Sequence, residues 1–514
     1  LAGWKVTVIS SNFIALMLIL TMAMNIHMSV RYLQFRKENP DISNSEALLW
    51  TSKKMFLPIF YTVLTTICAF LSLIFSGIKP IIDFGWMMTV GLIVSMSVTF
   101  TLLPVVLSIL NNQNSRDTVE KKSKITYFLS KFSQKNKVTI YSSAVAILII
   151  SLFGITKLEV ENSFINYFNK DTEIYKGMKL IDNELGGTTP LDVIIKFPKK
   201  TSDDLDDDWE EEEKDNDKYW FTRNKIDKLT KVHEYLNSLD AVGKVISFAS
   251  MVRVAEDLND GKKLQALEMG VLYSKIPETV KSEIIDPYIS IKDNEARISL
   301  RIKDSSNDLR RNELIKKINF DMQNEIGLSK DEFKLGGVLI LFNNLLQSLF
   351  KSQILTLGLV MCGIMAMFLV LFRNLKISLI GVIPNFIAAF SILGLIGVLG
   401  IPLDMMTITI AAITIGIAVD NSIHYIYRFQ EEYEKNNNYE ESIQLCHSTV
   451  GVAILNTSIT IIFGFSILVL SNFIPTIYFG VFTGIAMFLA MILVLTLLPS
   501  LILYIQPFEK RLNV

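Results

Sequence analysis

The chain carries one membrane unit twice, and this duplication constrains its fold more than any other feature. The stretch from Gly3 to Tyr32 aligns without gaps on Gly400 to Phe429, so that Gly3, Ile26, His27 and Arg31 meet Gly400, Ile423, His424 and Arg428. After a length change in the next loop the match resumes, with Glu46 on Glu441, Pro80 on Pro475, Gly85 on Gly480, and Leu102-Leu103-Pro104 on Leu497-Leu498-Pro499. Repeats related along the membrane normal commonly build transporters, whose sites lie near the bilayer midplane between the copies. Upstream of Gly400 the second copy has further apolar spans and a large polar domain, whereas only Leu1-Ala2 precede Gly3. The sequence therefore reads as the C-terminal part of a longer protein, with the N-terminal portion of its first half missing.

Half of the 514 residues are hydrophobic while 20% are charged, so the two classes must be segregated along the chain. Runs long enough for a helix at 1.5 Å per residue to cross a core of ~30 Å recur. They predict nine spans near 7–30, 54–76, 84–110, 138–157, 353–372, 377–399, 405–427, 450–470 and 476–504. The expected fold class is a membrane α-helical bundle with an internal repeat plus an α+β domain. Residues 1–110 would close the first repeat with three helices, 111–137 form a connector, 138–157 a further helix, 351–506 the second repeat of five helices and 507–514 a tail. Lys and Arg accumulate in cytoplasmic loops, and Arg36, Lys37, Lys53, Lys54, Arg116, Lys121, Lys122, Arg373, Lys376, Lys510 and Arg511 all fall on one side. That threading predicts a plasma (inner) membrane protein with 158–350 on the extracytoplasmic side. A net charge of −1 offers no bulk affinity for nucleic acid.

The outside domain contains no cysteine, so it must fold without disulfides, and no metal-ligand cluster is evident. Alternation predicts strands at 191–197, 288–291 and 296–302 and helices at 224–239 and 310–326, with one more amphipathic helix at 251–269. The run Asp203 to Asp217 (DDLDDDWEEEEKDND) is the densest in charge. A solvated insertion is expected there, since it lacks the ordered oxygens and glycine of an EF-hand loop. No catalytic constellation appears, so neither enzyme activity nor a cofactor is expected.

One acid interrupts the apolar spans. Asp420 lies within Gly416-Ile417-Ala418-Val419-Asp420-Asn421-Ser422-Ile423-His424. A carboxylate at mid-bilayer costs ~2.5–3.5 kcal/mol on insertion scales, and such groups mark ion or substrate paths. His424 is one turn away on the same face, and Gly416, one turn the other way, admits a close neighbour. On the next span Asn456, Thr460 and Gly464 share a stripe at i, i+4, i+8. The proton-relay set expected is Asp420, Asn456, Thr460 and His424, with Gly416 and Gly464 as packing positions. The competing reading of Asp420 is a structural polar contact, that of the stripe ordinary small-residue packing, and that of His424 a helix cap. The similar placement of His27, in a copy that has Ala23 where the second has Asp420, favours the capping role. Symmetry would set Ala23 opposite Asp420, with Asn456 or Thr460 in hydrogen-bonding reach.

These residues resemble the RND superfamily, in particular its MMPL-like and sterol-sensing-domain-like exporters. The resemblance is carried by Gly416 to His424 with Arg428, by Gly451 to Phe465 (GVAILNTSITIIFGF), by Phe473-Ile474-Pro475, by Leu497-Leu498-Pro499 and by Leu371 to Pro384 (LFRNLKISLIGVIP). It implies twelve membrane helices in two halves, a large extracytoplasmic domain in each, and transport driven by proton flux through the central helices. The nine spans would be the last nine. Two departures stand out: many MMPL-like members have Tyr after the helix aspartate where this chain has Asn421, and the first copy lacks the acid. The expected function is proton-motive-force-driven export of lipids or other hydrophobic compounds. The alternatives are a sterol-sensing-like lipid receptor or regulator, and a SecD/SecF-like secretion accessory. Expected partners are membrane lipids, a hydrophobic substrate and protons, with homo-oligomerisation left open and no nucleic acid.

Overall fold

The computed structural model describes residues 7, 9–109, 123–158, 163–198, 220–306, 309–404 and 406–508. The acidic run 203–217 and the first part of the connector, 111–122, lie outside them. The chain divides into two compact units, 1–162 with 347–514, and 163–346.

The first part of the chain forms α1 (Phe13–Glu38), α2 (Asn44–Ser72), α3 (Lys79–Ile109), α4 (Lys124–Lys135) and α5 (Lys137–Ile155). Next come α6 (Glu173–Glu184), β1 (Thr189–Lys196), α7 (Arg223–Asn237), β2 (Val242–Ile246), α8 (Phe248–Leu258), α9 (Ala266–Lys275) and α10 (Glu278–Ile284). They are followed by β3 (Ile289–Ser290), β4 (Glu295–Ile302), α11 (Arg311–Asn324) and β5 (Phe333–Gly336). The chain ends with α12 (Val338–Phe372), α13 (Leu375–Val398), α14 (Thr407–Asn436), α15 (Tyr439–Ser448), α16 (Val450–Ser466) and α17 (Ile474–Ile505). Among the described residues nine helices are long and apolar enough to cross a membrane, and they coincide with the nine apolar runs.

The duplication reappears in three dimensions, down to the caps. Ser43 opens α2 with a capping box to Glu46, and its repeat mate Asn438 opens α15 by accepting from the Glu440 and Glu441 amides. Each cap satisfies helix N–H groups that would otherwise lack partners. Cross-copy packing is symmetric too. A Cβ placed on Gly416 would lie 2.5 Å from the Ala69 Cβ, and one placed on Gly464 would lie 2.6 Å from the Ile19 Cγ1. Residues 416 and 19 are mates in the alignment, as are 464 and 69, so one contact is the other rotated about a pseudo-two-fold axis. The copies differ in that α2 is continuous where the second copy breaks between α15 and α16 at Thr449. The helix α14 occupies the centre, with 94% of its apolar window buried against 39% for α1.

In the other unit an antiparallel sheet has the order β2-β4-β1-β5, with β3 on β4. Alternation along β1 and β4 places Leu191 opposite Leu300, Val193 opposite Ile298 and Ile195 opposite Ala296, all buried. The amphipathic α7 adds Ile226, Leu229, Val232 and Leu236 to the same core. Each fully buried aliphatic side chain contributes about 1.5–3 kcal/mol. The single helix expected over 251–269 is instead two, α8 and α9. The chain turns between them through Asp260 and Gly261, both at positive φ, a conformation that glycine adopts without a Cβ penalty.

Candidate functional site

The site lies where α14, α1 and α2 face one another. Asp420 and His424, four residues apart on α14, share one face, and His424 Nε2 is 3.1 Å from Asp420 Oδ1. From α1, His27 stacks on His424 with ring centroids 4.0 Å apart and planes within 10°. These histidines are mates in the repeat, so the stack lies on the pseudo-two-fold axis. Both rings are buried, and His27 Nε2 has no hydrogen-bond partner among the described residues. Thr62 of α2 lines the same cleft as Asp420, while the Thr66 hydroxyl donates to the Gly416 carbonyl at 3.0 Å. Gly416 is what lets α2 approach this closely.

Two small clefts meet at these side chains. One, about 20 Å³, is lined by Ala23, Thr62, Thr66, Ile417 and Asp420 among others. The other, about 40 Å³, begins at His27 and His424 and runs to Arg31, Lys54, Arg428 and Glu431. A water needs roughly 10–15 Å³ of such volume and two or more polar partners, so both clefts can be wet. Asp420, His424 and His27 thus bridge the polar groups of one cleft to those of the other.

Glu431 closes the second cleft. Its carboxylate pairs with Arg31 at 3.0 Å, Lys54 at 3.0 Å and Arg428 at 2.9 Å. Arg31 and Arg428 are repeat mates, so the first and second copies grip one carboxylate. Arg428 also pairs with Glu432 at 2.6 Å. Arg31 is a site residue that neither spacing nor charge singles out, and its identity with Arg428 across the copies is the sequence signal that points to it.

Two expectations change. His27 and His424 do not cap helix ends; the two rings are buried against each other at the helix interface. Ala23 does line the cleft that holds Asp420, yet Asn456 and Thr460 are not hydrogen-bonded to the acid. Asn456 is exposed, and Thr460 donates to its carbonyl at 2.9 Å. Gly464, the third residue of that stripe, faces Ile19 on α1. The α16 side chain that does reach α14 is Ser458, bonded to Asn421 at 3.3 Å. Asn421 therefore ties α14 to α16.

Among the described residues His27, Asp420 and His424 are the group whose ligand atoms lie close enough, within 4.8 Å, to suggest a metal. Imidazole binds a metal in the plane of its ring. Two parallel stacked rings direct their lone pairs in separate planes, so this arrangement does not fit a shared ion. It fits proton exchange between the Asp420 carboxylate and His424 Nε2, which lie within hydrogen-bonding distance, with His27 holding the His424 ring by stacking.

Comparison with known proteins gives a consistent picture. The profile of the MMPL family matches residues 202–512. The protein MJ1562 of Methanocaldococcus jannaschii is 26% identical over 381 residues, 71% of this chain and 92% of that protein. Among solved structures, the hedgehog release protein Disp from the water bear Hypsibius dujardini superposes with a TM-score of 0.62 at 13% identity. The match covers 95% of this chain and 62% of Disp. SecDF from Thermus thermophilus, a translocon-associated membrane protein, gives a TM-score of 0.51 at 11% identity, covering 96% of this chain and 54% of SecDF. The chain therefore spans less than two thirds of either structure, and at these identities the likeness is one of fold.

Proposed function

The chain belongs to the MMPL family, and from that membership we propose that it is a proton-driven exporter of lipids or other hydrophobic compounds. In this reading it is a multi-pass protein of the plasma membrane with the α/β unit on the extracytoplasmic side, where it guides substrate. The observation that carries the proposal is the bridge of Asp420, His424 and His27 between two clefts at the repeat axis. Asp420 takes up a proton from the Thr62 side and passes it to His424 Nε2, and His424 releases a proton from its other ring nitrogen to water in the cleft that it lines with Arg31, Arg428 and Glu431. A carboxylate this deep in a helix bundle is retained for function in most membrane proteins.

The test is transport of a fluorescent lipid in proteoliposomes with and without an imposed pH gradient. Gradient-dependent movement supports export, whereas lipid binding without gradient-dependent flux would favour the receptor reading. That second reading has one observation behind it, the absence of an acid at Ala23.

A further inference from the structure

The helix α4 presents the wrong face to water. It buries Thr126, Leu129, Ser130 and Ser133 in packing against α15 and α17, while Ile125, Tyr127 and Phe128 are 57%, 52% and 64% exposed. At 3.6 residues per turn Lys124, Lys131 and Lys135 fall in one stripe beside Phe128. From 123 to 137 there are four lysines and no acid. Next to this stripe a groove of about 190 Å³ runs between α4, α5 and α17, lined by Phe128, Phe132, Ile140, Ile147, Ile492 and Leu493. The hydroxyls that also line it, Ser143 and Thr496, donate to the Ile140 and Ile492 carbonyls of their own helices. The groove therefore suits an alkyl chain and offers nothing to a polar ligand.

We propose that this groove binds one anionic phospholipid, with an acyl chain against Phe132, Ile147 and Ile492 and the phosphate at Lys131 and Lys135. Aromatic and basic side chains on a short amphipathic helix mark the bilayer interface. A cationic stripe on a helix that itself carries no acid favours a net negative headgroup over a zwitterion. Lys131 lies between the groove-lining Phe128 and Phe132 in sequence, its Nζ 4.7 Å from the Tyr127 ring centroid. The inference is independent of the transport reading.

The experiment is native mass spectrometry of the full chain released from nanodiscs containing equal phosphatidylglycerol and phosphatidylcholine. The wild type is expected to retain phosphatidylglycerol preferentially, and Lys131→Gln to lower that preference about five-fold. Ile492→Trp, which fills the groove, should reduce retention of both lipids. Equal retention of the two lipids by the wild type, or an unchanged preference in Lys131→Gln, would overturn the proposal. Should Ile492→Trp fail to fold, the exposed Lys131 substitution decides alone.

Discussion

Replacing Gly416 with alanine should destabilise the membrane unit by about 1–3 kcal/mol, the usual cost of overpacking. The new Cβ would lie 2.5 Å from the Ala69 Cβ, roughly 1 Å inside ordinary carbon–carbon contact. Both atoms are fixed to their backbones, so no rotamer relieves the clash and α14 must separate from α2. That movement stretches the 3.0 Å bond from Thr66 to the Gly416 carbonyl and draws Thr62 away from Asp420. At the symmetric position Gly464→Ala meets Ile19 Cγ1 at 2.6 Å and Cδ1 at 2.8 Å. Those atoms belong to a side chain that can swing aside, so the loss should be smaller, about 1 kcal/mol. Ala69→Gly should restore most of what Gly416→Ala loses, a coupling of about 1–3 kcal/mol in a double-mutant cycle. The assay is reversible unfolding of the full chain by SDS in mixed micelles. Wild-type stability for Gly416→Ala, or no rescue by Ala69→Gly, would refute the reasoning.

Glu431→Gln should cost about 2–3 kcal/mol in the same assay, because it leaves Arg31, Arg428 and Lys54 around a neutral amide; Lys54→Gln, removing a half-exposed partner, should cost about 0–1 kcal/mol. Equal losses would show that Glu431 does not organise the cluster. In the α/β unit, burial pushes the Asp182 carboxyl up, but hydrogen bonds from Ser305, Thr188 and Asp304 outweigh it and hold it below the usual carboxylate range. Its stabilisation is present above the unfolded value of about 3.9 and is lost as pH falls through the lower folded value. Asp182→Asn should therefore reduce hydrogen-exchange protection of β1 at neutral pH, with the gap to wild type closing in acid; a gap independent of pH would contradict this. Deleting 203–217 with a short Gly/Ser linker should leave expression and lipid transport nearly unchanged, and a large loss of either would point to a cation or partner site there.

The parts of the fold legible in the sequence are those governed by period and punctuation. Apolar runs gave all nine spans, and alternation gave β1 and β4 because their inward residues are aliphatic. The strands β2 and β5 escaped, since VGKVI and FKLG are short and each is interrupted by a glycine and a lysine. At the site, Asp420 stood out because charge is costly in an apolar helix, and its turn-mate His424 followed from helical spacing. The error at Asn456 and Thr460 has a physical reason. A helix apolar all round carries no periodic signal for which face meets which neighbour, so a polar stripe cannot be aimed from sequence. The repeat held better information: identical mates such as His27 and His424 that sit near the axis must meet each other.

The most direct test of the central claim is transport by Asp420→Asn in proteoliposomes under an imposed pH gradient. Wild-type protein should move lipid only with the gradient. The variant, nearly isosteric and unable to carry the proton, should insert and unfold like the wild type yet show no gradient-driven flux. Transport by Asp420→Asn at the wild-type rate would contradict the account.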